Sequence, residues 1–188
     1  MSQTPTLANL ADGFAIADIM AVVITTASAK YLLSTGTKAG CKAVVSAGKE
    51  QELRKRNQIL ALSKTEDIVK GYDVTLTDAK MHSELLALID GGVRTTSDDA
   101  FSYSGPVAGS VVTRTEFEMD IYSGVFGTGG APTSYIKFSF TGCKGTPCEF
   151  EVADDTFFAS SYTIRSRPDV GDAPITITTA SALPTVSG

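Results

Sequence analysis

One histidine and three cysteines limit the chemistry this chain can do. A zinc site built from cysteines alone, or from two cysteines and two histidines, needs four such ligands, and no C-x-x-C spacing occurs among Cys41, Cys143 and Cys148. Ser-His-Asp or Cys-His hydrolysis would depend on His82. That residue stands in Met81-His82-Ser83-Glu84, which reads as a first helical turn with a surface histidine. Neither G-x-x-x-x-G-K-[ST] nor G-x-G-x-x-G is present. Gly124, Gly127, Gly129 and Gly130 lack a following lysine and helix, so they read as a loop between strands. The pairs Asp98/Asp99 and Asp154/Asp155 fall in turn-like polar sequence and read as solvated charges, not as a catalytic dyad or calcium loop. The inventory argues against an enzyme, and no catalytic residue, metal ligand or cofactor is assigned.

The elements that would position any function come next. A length of 188 residues suits one domain, and such a chain can bury a core without metal or disulfide staples. Apolar residues make up 43% and charged residues 20%, near globular averages. A net charge of −5 argues against a free-standing nucleic-acid binder or a polybasic membrane anchor. The first basic side chain is Lys30, so the charged start of a signal peptide is missing. The uncharged stretch 19–29 has 11 residues, where a membrane span needs about 20 apolar ones.

Residues 1–14 carry Pro5 and Gly13 with little periodicity and read as a flexible N-terminal arm. One domain is expected over 15–180, with 181–188 as a flexible tail. Strands are expected at 17–26, 29–34 and 42–47, with a turn at 35–40. Segment 48–58 is mostly charged, has Leu53 as its one aliphatic side chain, and precedes the apolar strand 59–62. Such a segment buries little of itself and should protrude as a loop or hairpin. Residues 67–77 alternate as a strand. Asp78 can cap a helix over 79–90 that stops at Gly91-Gly92. Polar residues 95–109 read as a loop.

Residues 111–122 alternate clearly. Thr113, Thr115, Phe117, Met119 and Ile121 share one face; Arg114, Glu116, Glu118, Asp120 and Tyr122 share the other. Farther on, matching apolar faces sets Phe140 opposite Phe150 and Phe138 opposite Val152, with Cys143 in the connecting loop and Cys148 facing the core. No cross-hairpin disulfide is expected, in keeping with a reducing cytosol. Two last strands are expected at 160–167 and 173–179. Many strands and one helix predict a mainly β protein, a β-sandwich or barrel with a flanking helix.

Charge is divided unevenly. Residues 1–94 hold 11 basic and 10 acidic side chains, and residues 95–188 hold 5 and 11, giving +1 and −6. Part of the excess alternates along strands, in Glu116, Glu118 and Asp120 and in Glu149 and Glu151. Such a face is either a solvated sheet surface or one that repels a polyanion.

The order of features carries a resemblance. A charged run leads into an apolar strand (Arg54-Lys55-Arg56-Asn57-Gln58-Ile59-Leu60-Ala61). Then come Asp67 to Asp78 with Lys70-Gly71-Tyr72-Asp73, a helix ending Leu88-Ile89-Asp90-Gly91-Gly92, the segment 143–150, and Tyr162-Thr163-Ile164-Arg165 before Pro168. Over roughly 42–179 this resembles the major tail tube protein of tailed bacteriophages and phage-tail-like particles, particularly those of Gram-positive hosts. The resemblance implies a tail-tube-type β-sandwich that closes into hexameric rings. The rings stack into a virion tail tube through which genomic DNA passes without specific binding. It implies synthesis in the host cytoplasm and, as partners, further copies of the chain, a terminator, baseplate or initiator proteins and, in some tails, a sheath. By position, Lys49, Glu50, Glu52, Arg54, Lys55 and Arg56 would form the ring-stacking loop. Glu116, Glu118, Asp120, Glu149 and Glu151 are the candidate lumen-facing acids, since basic walls would hold DNA phosphates. The alternative is a β-sandwich module that binds a ligand or carbohydrate within a larger particle. The absence of Trp weakens it.

Overall fold

The computed structural model describes residues 13–97, 100–150 and 152–185. Most of the arm expected over 1–14, the Asp98/Asp99 pair and the end of the expected tail lie outside the described residues. The fold is mainly β with one helix, as expected. The strands are β1 (Ile16–Thr26), β2 (Lys30–Leu33), β3 (Gly36–Ser46), β4 (Glu50–Lys55), β5 (Gln58–Lys64), β6 (Ile68–Asp78), β7 (Val93–Ser97), β8 (Ala100–Ser104), β9 (Phe117–Phe126), β10 (Pro132–Gly145), β11 (Ser160–Ser166) and β12 (Ile175–Ala180). The helix α1 (Ser83–Asp90) follows β6. Eight strands form one antiparallel sheet, ordered β2-β1-β9-β10-β11-β6-β3 with β12 also on β10, while β4-β5 and β7-β8 are separate hairpins.

The longest strand, β10, holds the sheet together. It pairs with β9 along most of its length. On its other side it pairs with β12 from Tyr135 to Phe140, then with β11 from Cys143 to Gly145. The change of partner falls at Gly142, whose φ of 57° is left-handed. A Cβ there would lie 2.6 Å from the Cα of Pro168, so glycine is required twice over. Bends of this kind let one strand serve two packed layers. The sheet curls until its ends meet: a Cβ on Gly36 of β3 would stand 3.5 Å from a Val22 methyl of β1. Alternate residues point inward, and Val22, Ile24, Val74, Leu76, Phe117, Met119, Phe140, Tyr162 and Ile164 form the core with Leu85 and Ile89 of α1.

Several expectations are corrected. Residues 35–40 are not a turn; β3 begins at Gly36 and pairs Gly40 with Thr75, so these glycines serve close strand approach. Residues 95–109 are not simply a loop, because β7 and β8 pair as a hairpin. The strand expected from 111 starts only at Phe117. The helix starts at Ser83, not 79: Asp78 is buried at the end of β6 and accepts a bond from Lys80 N at 3.2 Å, which makes a turn instead. His82 is the N-cap without a capping side-chain bond, and Gly91, at φ 82°, closes the other end with its N–H on Ala87 O.

The hairpin proposed between Phe138-Phe140 and Phe150-Val152 does not form. Phe140 faces Met119 on one side and Ile175 on the other, and Phe138 faces Ile121 and Ile177. Cys143 is in β10 and fully buried, not in a loop, and Cys148 is half-buried beside the core. Phe150 and Val152 lie outside any strand, 74% and 75% exposed. A 14-residue strand needs partners along its whole length, and the two-residue alternation at Phe150 and Val152 is too short to supply them.

Replacing buried Ile164 by Ala should lower stability by about 2–5 kcal/mol in urea unfolding of the isolated subunit. Ile177→Ala, at an exposed position of the same fold, should change it by less than about 0.5 kcal/mol.

Candidate assembly surfaces

Within the eight-stranded sheet, three strands are paired on one side only among the described residues: β3 with β6, β12 with β10 and β2 with β1. The longest of these, β3, is exposed over most of its 11 residues. Beside it, between β3 and the ends of β1 and β10, opens a cleft of about 540 Å3 lined by Ile16, Ile19, Ala39, Cys41, Phe138 and Phe140. A long unpaired edge beside apolar surface readily pairs with another chain.

The charged segment 48–58 contains most of a protruding hairpin. Leu53 pairs with Ala61, Glu52 with Leu62 and Glu50 with Lys64, across the turn at Arg56-Asn57. Every residue of β4 and β5 is exposed. Leu53 is 61% exposed and Ile59 56%, with Leu60 and Leu62 alike. Among the candidate stacking residues, Arg54 pairs with Glu52. The hairpin base is tied to the domain, with Gly48 N donating to Asp67 at 2.7 Å and Thr65 N to Lys49 O at 3.0 Å. A two-stranded ribbon with neither face covered is marginal in water.

The acidic residues do not form one row. On the outer face of β9 and β10, Glu116 pairs with Lys144 at 3.1 Å and Asp120 with Lys137 at 3.7 Å. Glu118 is exposed and joins no ion pair among the described residues. Arg114, expected on the same face, is elsewhere: its Nε donates to Ile89 O and Asp90 O at the C-terminal end of α1. That placement suits a cation at a helix C-terminus. Glu149 is on another surface, bridged to Ser161 of β11. Glu151 lies outside the described residues. The outer face of β3, β6 and β11 has the opposite character, with Lys42, Asp73 and Arg165 in one cross-strand row and Arg167 paired to Asp73 at 2.6 Å.

No group of three or more His, Cys, Asp or Glu side chains is placed to hold a metal among the described residues. No described helix is long and apolar enough to cross a membrane. His82 Nε2 lies 3.4 Å from Asp78 Oδ2 and from Thr35 Oγ1, near buried Ser160 and Tyr162. Burial, with a lesser effect of the Asp78 charge, holds the Tyr162 phenol above its ordinary range.

A surface that the sequence did not suggest is a groove between α1, β8 and residues 148–162, with a volume of about 660 Å3. Met81, Leu86, Phe101, Phe150, Val152 and Phe158 make its apolar walls. Asp90 organises its floor, accepting from Tyr103 Oη and, at 3.2 Å, from Cys148 N. Burial and then the Asp90 carboxylate push the Tyr103 phenol well up. The same two causes push the Cys148 thiol to about 11. The phenylalanines at 150 and 158 were legible as apolar, but their convergence with Phe101 depends on the β7-β8 hairpin, whose polar sequence gave little sign of strand.

No family model matches the chain, and no curated protein matches it. A chain in a cryo-EM structure of the anti-feeding prophage baseplate, six-fold symmetrised, resembles it over 94% of this chain and 97% of that one, with a TM-score of 0.44 and 7% identity. Similarity at that level says nothing of what this chain does.

Two measurements check this geometry. Alkylation at pH 8 should modify exposed Cys41 first. Cys148, at about 11, and Cys143, pushed by burial to about 12, have little thiolate at that pH; Cys148 labelling should rise about tenfold per unit from pH 8 to 10. In the isolated subunit, amides of β4 and β5 should exchange at least ~100-fold faster than those of β9, and equal protection would show that the hairpin is covered.

Proposed function

We propose that this chain is a structural subunit of a phage tail or tail-like tube, closing into hexameric rings that stack into a conduit for DNA. The observation that carries the reading is the β4-β5 hairpin, a ribbon whose four large aliphatic side chains are more than half exposed among the described residues. A stable fold does not keep such an element without a partner surface. The open edges of β3 and β12 support the same reading, since lateral strand addition between copies would cover them. The order of sequence features that resembles tail tube proteins supports it independently.

Within that reading, the wall facing the lumen is the outer face of β9 and β10. Its charges are Glu116, Glu118 and Asp120 against Lys137 and Lys144, so unpaired Glu118 would repeat six times around a ring. The adjoining β3-β6-β11 surface, with Lys42, Arg165 and Arg167 around the single carboxylate of Asp73, is set away from the lumen in this reading, because an excess of cations there would hold phosphates. Lys49, Glu50, Glu52, Arg54, Lys55 and Arg56 stand on the hairpin that joins one ring to the next.

Electron microscopy of the purified chain, alone and with tail initiator proteins, should show rings or tubes of uniform bore. A strict monomer under all these conditions would sink the reading. Replacing Arg54, Lys55 and Arg56 by Ala should shorten tubes while leaving single rings; loss of the rings would move the hairpin to the in-ring contact.

A further inference from the structure

We propose that the groove between α1, β8 and residues 148–162 is the seat for the β4-β5 hairpin of a second copy of this chain. The inference rests on the self-association proposed above and names the surface that receives the hairpin.

Position is the first argument. The hairpin leaves the domain between Ser46 of β3 and Ile68 of β6. The groove lies at the far end of β6, where Asp78 pairs with Ser160, and Ser160 to Tyr162 line the groove. The 11 residues of β6 separate the two by about 33 Å at the usual strand rise. A ribbon at one end and a receptor at the other make a head-to-tail contact, which repeats without limit unless it closes on itself.

Chemistry is the second argument. Both surfaces are apolar, and their charges are opposite. Residues 49–64 hold five basic and two acidic side chains, a net of +3. Residues 148–159 hold Glu149, Glu151, Asp154 and Asp155 and no basic residue, a net of −4. Asp90 is already engaged by Tyr103 and the Cys148 amide, which leaves Glu149 in the lining, with exposed Asp154 and Asp155 following in the same segment, to meet Arg54, Lys55 and Arg56. Leu53, Ile59, Leu60 and Leu62 find in the groove the apolar walls that their own domain does not give them. The hairpin base is tied to the start of β6, about 33 Å from the groove of its own domain.

The test places one small cysteine on each surface of the full chain, Ala61→Cys in β5 and Ser161→Cys in β11, in a Cys41→Ser, Cys148→Ser background, because Cys148 itself lines the groove. Differently tagged single variants are mixed and mildly oxidised. A mixed disulfide-linked pair is expected, and a ladder from the double variant, neither appearing with Ala61→Cys alone. Arg54→Glu with Lys55→Glu should weaken self-association at least tenfold by sedimentation, and adding Glu149→Lys with Asp154→Lys should restore most of it. Assembly without the mixed disulfide would overturn the proposed seat and leave the tube reading standing. A native chain that never associates would remove both.

Discussion

Every layer of this fold depends on a single strand changing partners. β10 gives its first half to β12 and its last residues to β11 while β9 follows it on the other side. The switch is possible because residue 142 has no side chain and takes a left-handed turn against the backbone of Pro168. Arg167 N–H donates to the Gly142 carbonyl at 2.9 Å, and Ser166 Oγ donates to Thr141 O at 2.7 Å, so the corner's backbone polar groups are satisfied as it turns. A second close approach holds α1 in place, since a Cβ on Gly145 would stand 2.1 Å from Ile89 O. Core, corner and helix are one packing problem with glycine at both tight points.

The same arrangement leaves surface uncovered. Curling brings β1 to β3 at Gly36, but without a backbone ladder between them, so among the described residues β3 keeps an open edge and the apolar cleft beside it. The hairpin after β3 and the aromatic groove near α1 add two more surfaces with more apolar area than a solitary domain usually exposes. Charge sorts these surfaces. The outer face of β9 and β10 is nearly balanced by lysine–carboxylate pairs, the adjoining surface of β11, β6 and β3 carries Lys42, Arg165 and Arg167 around Asp73, and Glu149 stands near the end of β6 remote from the basic hairpin. Exposed ion pairs of this sort contribute little to stability, and their arrangement speaks to what approaches the surface.

Period-two alternation made much of this legible. Phe117, Met119 and Ile121 could be set together on one face without coordinates, residues 67–77 could be read as a strand, and the charge of 48–58 announced a protruding element. The alternation failed where the backbone departs from regular pairing. Phe150 and Val152 alternate as a strand would, yet they line a groove, because β12 takes the place beside Phe138 and Phe140 that they were expected to fill. Glycines at 36 and 40 signalled a turn when their use was close contact between strands. Arg114 was expected on one face with Glu116, Glu118 and Asp120, when the carbonyls of a helix end were its partners. In each case the deciding term was a long-range contact, which local pattern does not encode.

The β6 strand has a mechanical meaning beyond its place in the sheet. It is held by backbone ladders to β3 on one side and β11 on the other, and it runs from the base of the ribbon to Asp78, the partner of Ser160 at the groove's edge. A chain of copies linked through those two places would transmit tension along covalent backbone, with the side-chain contacts only at the joints. Its repeat distance would then be inextensible within each subunit, and all bending would be confined to the ribbons between them.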